Sequence, residues 1–100
     1  MSRETAGSIR DMLAGVVEEG TGRDARPMEK NAGGKTGTAQ TGSFTPEGEE
    51  RMNYWFAGFY PAQKPEFTIV VLQHHLTQAQ ISSAAVFSKV CNALEDLQIC

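Results

Sequence analysis

The run Asn31-Ala32-Gly33-Gly34-Lys35-Thr36-Gly37-Thr38-Ala39-Gln40-Thr41-Gly42 places one cation among residues with almost no side-chain bulk. Glycines let a second molecule approach the backbone, while the threonines add hydroxyls and favour an extended chain. Residues 32–41 therefore read as a strand despite their glycines. A strand edge of this kind can take a charged, extended ligand by main-chain pairing plus one ion pair.

A nucleotide is the first ligand to test. Gly34-Lys35-Thr36 matches the end of the phosphate loop G-x-x-x-x-G-K-[ST]. That pattern needs a glycine where Glu29 stands, and a carboxylate there repels phosphate. It also needs a helix after the Lys-Thr pair, whereas Gly37-Thr38-Ala39-Gln40-Thr41-Gly42 is poor helix material. The nucleotide is excluded on both counts. Taken alone, the motif also fits a Gly/Thr-rich surface turn with a solvated lysine.

Working outward, Ser2 can cap a helix over residues 2–19, with Ala6, Ile9, Met12, Leu13, Val16 and Val17 as its apolar stripe. Gly20 suits a left-handed helix end. Residues 23–30 read as a loop, and Gly42 to Arg51 as a second, long and mobile polar loop. Residues 53–60 form an aromatic strand, with Tyr54 and Phe56 on one face and Trp55, Ala57 and Phe59 on the other. Two apolar faces place that strand mid-sheet under cover from both sides. Pro61-Ala62-Gln63-Lys64-Pro65 is too short for a crossover, so the strand over 66–73 returns antiparallel. A closing helix over about 80–97 buries Ile81, Ala84, Phe87, Val90, Cys91, Leu94 and Leu97. The fold class is α+β: a three-stranded antiparallel meander flanked by an N-terminal and a C-terminal helix. Two helices with one stripe each do not obviously cover both faces, which points to a fragment or a partner surface.

Composition narrows the function. One hundred residues make one small domain or part of a larger one, here read as a single unit over 1–100. A net charge of −3 with dispersed basic residues argues against nucleic acid. The run Phe67–Leu72 is too short to cross a bilayer, and no targeting segment precedes it, so the segment itself reads as soluble. Cys91 fits a buried thiol, and a helix running to Cys100 holds the two cysteines beyond disulfide reach. His74-His75 point to opposite faces of a strand, so neither metal nor cofactor is expected.

At this point the ordered motifs resemble a known family. Val16-Val17-Glu18-Glu19-Gly20-Thr21-Gly22, the run Ala32 to Gln40, Trp55-Phe56-Ala57-Gly58-Phe59-Tyr60-Pro61-Ala62, a valine-rich strand and Ala85-Val86-Phe87 follow one another. This order is similar to the C-terminal part of the transpeptidase domain of a class B penicillin-binding protein. The resemblance covers almost the whole chain. It implies a serine D,D-peptidase and β-lactamase-like fold, a five-stranded antiparallel sheet with helices on both sides. It implies three motifs, Ser-x-x-Lys, Ser-x-Asn and Lys-[Thr/Ser]-Gly on a sheet-edge strand. On this chain Lys35 corresponds to the third-motif lysine, holding the acyl-donor carboxylate with Thr36 and Thr38. Gly37 keeps the edge open for the substrate backbone, and the Thr38 amide is an oxyanion donor.

The departure from the family is large. Ser2, Ser8, Ser43, Ser82, Ser83 and Ser88 all lack a lysine three residues on and an asparagine two residues on. The expectation is a segment supplying Lys35, Thr36, Gly37 and Thr38 to a peptidoglycan cross-linking enzyme, and inert alone. Its partners are then the stem peptide or a β-lactam, the rest of the domain, and a second copy covering the sheet. The parent is expected to be membrane-anchored, with its catalytic domain on the outer face of the bacterial cytoplasmic membrane. The alternative is a non-catalytic binding or self-association module on the same fold.

Overall fold

The computed structural model describes every residue except Thr21, Gln78, Ala79, Gln80, Gln98, Ile99 and Cys100, with the side chains of His75 and Leu76 also outside it. The expected remoteness of Cys100 from Cys91 therefore lies outside the described residues. Helix α1 spans Arg3–Glu18 and is followed by a short 3-10 turn, Arg23–Ala25. Strands β1 (Gly33–Phe44), β2 (Glu50–Tyr60) and β3 (Phe67–Leu76) come next, and helix α2 (Ser83–Asp96) closes the fold. The sheet has the order β1-β2-β3 with both pairs antiparallel. This is the α+β meander that the pattern predicts.

Both helices begin at a serine cap. The Thr5 amide donates to Ser2 Oγ at 3.1 Å, and the Ala85 amide to Ser82 Oγ at 3.0 Å. Ser82 thus fixes the start of α2 later than residue 80 and leaves Ile81 outside the helix, partly exposed. Gly20 differs from expectation: it is not left-handed. Its amide donates to the Gly15 and Val16 carbonyls, at 3.2 and 3.1 Å, while the Gly22 amide reaches Val16 O at 3.0 Å. The helix end is satisfied by backbone bonds, with both glycines pressed against Val16.

The stretch from Gly42 to Arg51 is a paired hairpin rather than a long loop. Both strands continue through it, and only residues 45–49 separate them. The polar side chains that suggest a loop serve the ladder instead. The Thr41 hydroxyl donates to the Arg51 carbonyl, and the Arg51 guanidinium donates to the Phe44 carbonyl at 2.8 Å. The Gly42 amide donates to the Glu50 carboxylate at 3.0 Å. The register slips between Gln40 and Ser43, and Gly42 takes a φ of 75° at that bulge.

The core lies on one face of the sheet. Phe56 and Tyr60 of β2 pack with Ala84, Phe87 and Cys91 of α2, and with Val17 of α1. The Phe56 and Phe87 rings are 4.6 Å apart at 50°, a tilted pair. Ile69 and Val71 of β3 pack against this cluster. Helix α1 contributes less than its stripe predicts: Val17 is its one buried residue among those described, and Met12 is exposed. The central strand is therefore covered on one face rather than two. On the other face Trp55, Val70 and Leu72 remain 37%, 65% and 57% exposed.

Candidate functional site

Strand β1 is a sheet edge, and Lys35 lies on it between buried and open backbone. Gly33 and Gly34 are buried, while Lys35, Thr36 and Thr38 are exposed. Lys35 pairs across the ladder with Ala57, so it belongs to the open face. Thr36 pairs with Phe56 and Thr38 with Tyr54, on the face that carries the helices. Neighbouring residues of a strand leave opposite faces, yet Lys35 Nζ comes within 3.4 Å of Thr36 Oγ1. The lysine therefore bends around the unpaired edge. Among the described residues no carboxylate lies within ion-pair distance of Lys35. One uncompensated cation and an adjacent hydroxyl thus meet at an open backbone edge. That set has the charge and the donors to bind a carboxylate or another oxyanion.

Beside this edge is a cavity of about 390 Å³ between the sheet and the start of α2. Thr36, Gly37, Thr38, Tyr54, Gln73 and Ser83 are among its lining residues. Sequence reasoning missed this neighbourhood, because Tyr54, Gln73 and Ser83 come from three different elements. A polar cluster closes its inner end. The buried Ser83 hydroxyl is 2.7 Å from Gln73 Oε1 and 3.2 Å from the Tyr54 carbonyl, and the Gln73 amide donates to the Ile81 carbonyl at 3.0 Å. Neither serine at the cavity is placed to act as a nucleophile. Ser82 Oγ caps α2, and Ser83 faces a carboxamide and a carbonyl, neither of which is a general base.

The glycines of β1 have a second explanation that sequence reading did not supply. A Cβ on Gly33 would lie 2.2 Å from Phe59 Cζ, and one on Gly34 would lie 2.5 Å from Phe56 Cε1. A Cβ on Gly37 would lie 1.9 Å from Trp55 Nε1. Three aromatic residues of β2 therefore occupy the space that side chains on β1 would need. The signal was available in principle, because pairing the two strands residue by residue sets Gly33 opposite Phe59 and Gly37 opposite Trp55.

A second anchor holds the entrance to β1. Glu95 Oε1 accepts the Tyr60 hydroxyl at 2.7 Å and lies 3.2 Å from Lys30 Nζ. The Ala62 amide donates to the Asn31 carbonyl at 2.9 Å, and the Asn31 carboxamide donates to the Ala14 carbonyl at 3.3 Å. The residues leading into Lys35 are thus tied to the turn that follows β2, to α1 and to α2 at once.

Known proteins match this chain in sequence and in fold. Bacillus subtilis stage V sporulation protein D is 42% identical over 71 residues, 71% of this chain and 11% of that protein. Peptidoglycan D,D-transpeptidase MrdA of Acinetobacter baumannii is 36% identical over 73 residues, 64% of this chain and 11% of that protein. The transpeptidase domain of Burkholderia pseudomallei penicillin-binding protein 3 superposes with a TM-score of 0.79 at 27% identity, covering 99% of this chain and 32% of that one. The D,D-transpeptidase domain of an Eggerthella lenta peptidoglycan glycosyltransferase gives 0.73 at 31% identity, covering 100% of this chain and 22% of that one. The chain thus spans about a tenth of these curated relatives, at 11% of each. With residues 1–92 matching the penicillin binding protein transpeptidase domain, and with its lysine-bearing edge strand set in that fold, the chain belongs to the penicillin-binding protein transpeptidase domain family.

Proposed function

We propose that this chain forms the Lys-Thr-Gly wall of a peptidoglycan D,D-transpeptidase whose serine nucleophile lies in another part of the enzyme. The observation that carries this reading is the Lys35 ammonium, with no carboxylate partner among the described residues, bent around a strand edge onto the Thr36 hydroxyl. In the reaction, a serine oxygen attacks the carbonyl between two D-alanines of a stem peptide. The peptide bond breaks, the terminal D-alanine leaves, and an acyl ester remains on the serine. An amine of a second stem peptide then attacks the ester, forming the cross-link and freeing the hydroxyl.

Lys35, Thr36 and Thr38 have the groups to hold the terminal carboxylate, and the Thr38 amide has the donor to stabilise the tetrahedral oxyanion. β-Lactams, which carry a carboxylate beside a reactive amide, would use the same contacts. No step calls for a metal or cofactor. The parent enzyme would work on the outer face of the cytoplasmic membrane, where peptidoglycan is cross-linked. Among the described residues no helix is long and apolar enough to cross a membrane, so an anchor would belong to another part of the parent.

Because no serine here has the Ser-x-x-Lys or Ser-x-Asn context, the chain alone forms no acyl-enzyme. Incubation with a fluorescent penicillin followed by denaturing electrophoresis leaves it unlabelled, and a covalent band on this polypeptide overturns the reading. Restoring the missing motifs in a full-length enzyme restores labelling, which Lys35→Ala there lowers by at least about tenfold.

One observation favours a second reading, self-association without chemistry. The sheet face bearing Trp55, Val70 and Leu72 is open and apolar, and a second copy of the chain would cover it.

A further inference from the structure

The two faces of β1 are not served alike. On the face that carries the helices, Thr36 and Thr38 edge a cavity. On the open face Lys35 sits opposite Ala57, and the flanking pairs are Gly33 with Phe59 and Gly37 with Trp55. The pattern on β2 is large, small, large, and on β1 it is glycine, lysine, glycine. Each ring fills the place of a missing Cβ, while Ala57 between them stays exposed and Lys35 turns away over the unpaired edge.

The Trp55 contact is the closer of the two flanking contacts. A Cβ on Gly37 would lie 1.9, 2.4 and 2.8 Å from indole Nε1, Cε2 and Cδ1. These are ring atoms, which move only if the whole indole moves. The pyrrole side of the indole therefore sits in the space a side chain at residue 37 would fill.

We propose that Trp55 is a positioning residue for the Lys35–Thr38 edge: its indole, seated on Gly37, holds that stretch of β1 against β2 and fixes where the Lys35 ammonium emerges. Gly37 is glycine first because Trp55 occupies its side-chain space. The proposal rests on the reading of Lys35–Thr38 as the substrate-binding edge, and adds to it a residue from the neighbouring strand that need not touch substrate.

A ring packed on a glycine can also be stabilising and nothing more, so the test reads the position of Lys35 and not only stability. It is a double-mutant cycle on the full chain without ligand, with Gly37→Ala made in the Trp55 and in the Trp55→Ala backgrounds. In the Trp55 background, Gly37→Ala shifts the Lys35 13Cε resonance and speeds exchange of those amides of residues 35–38 that bond to β2 at least about tenfold over the rest of β2 and β3. In the Trp55→Ala background the same substitution changes exchange by less than about twofold. Equal effects in the two backgrounds overturn the proposal.

Should Trp55→Ala unfold the chain, Gly37→Ala alone still decides. Trp55 is the only tryptophan. Its emission moves to the red when the methyl lifts the indole into water, and unchanged emission overturns the proposal. Addition of a D-Ala-D-Ala-terminated peptide to the unsubstituted full-length parent tests the substrate reading separately. A silent Lys35 resonance there counts against the substrate role, while the mutant cycle still decides whether Trp55 positions the edge.

Discussion

Glycine has two opposite meanings in this chain, and the contacts at each position decide between them. At Gly34 a methyl would sit 2.5 Å from Phe56 Cε1 and 2.6 Å from the Ala57 carbonyl oxygen. The second neighbour is backbone and cannot swing aside. Gly34→Ala is expected to cost about 1–3 kcal/mol, as overpacking does. At Gly7 and Gly15, inside α1, nothing lies within 4 Å of the position a methyl would take. There the helix only gains from a less flexible unfolded chain, so Gly15→Ala is expected to stabilise by about 0.4–1 kcal/mol. Urea denaturation of the two variants gives midpoints on opposite sides of the parent chain. Two midpoints shifted in the same direction would contradict this division of the glycines.

At the scale of elements, the helices differ in how firmly they are held. Helix α2 buries Ser83, Ala84, Phe87 and Cys91, whereas α1 buries Val17 near its C-terminal end. Amide exchange is therefore expected to be fast through the first turns of α1, slow from Val17 back one turn, and slowest in α2 and β2. Uniform protection along α1 would show that its exposed stripe is covered in solution.

The same scale shows what the sequence made legible. Element types and their order followed from periodicity, since each helix carries a stripe and each strand a β-branched or aromatic run. The stretch 42–51 misled because Glu50 and Arg51 are polar, and polarity there serves ladder bonds rather than solvent. Lys35 stood out because a cation among glycines and threonines is chemically distinct. The rings beside it did not. Their relation to the glycines depends on strand register, and register is set by the bulge at Gln40–Ser43 and the hairpin beyond it, not by the residues around Lys35 themselves.

For the whole molecule, one core on one side of a sheet leaves the other side to be accounted for. Helices and strands share the cluster around Phe56 and Phe87, while Trp55, Val70 and Leu72 form an apolar strip on the reverse. Isolated, the chain is expected to self-associate through this strip. Sedimentation velocity then shows a mass that rises with concentration, and Val70→Lys with Leu72→Lys returns it to the monomer. A monomer at all concentrations in the parent chain would remove the second reading. Both substitutions fall on exposed side chains, so the core should tolerate them.

The Glu95 carboxylate carries one more consequence. A single oxygen from the last turn of α2 receives both the end of β2, through Tyr60, and the approach to β1, through Lys30. The far end of the chain thus acts as a fastener for the strand that bears Lys35. Clipping that last turn would leave every ladder bond of the sheet in place and still loosen the hinge from which the lysine strand departs.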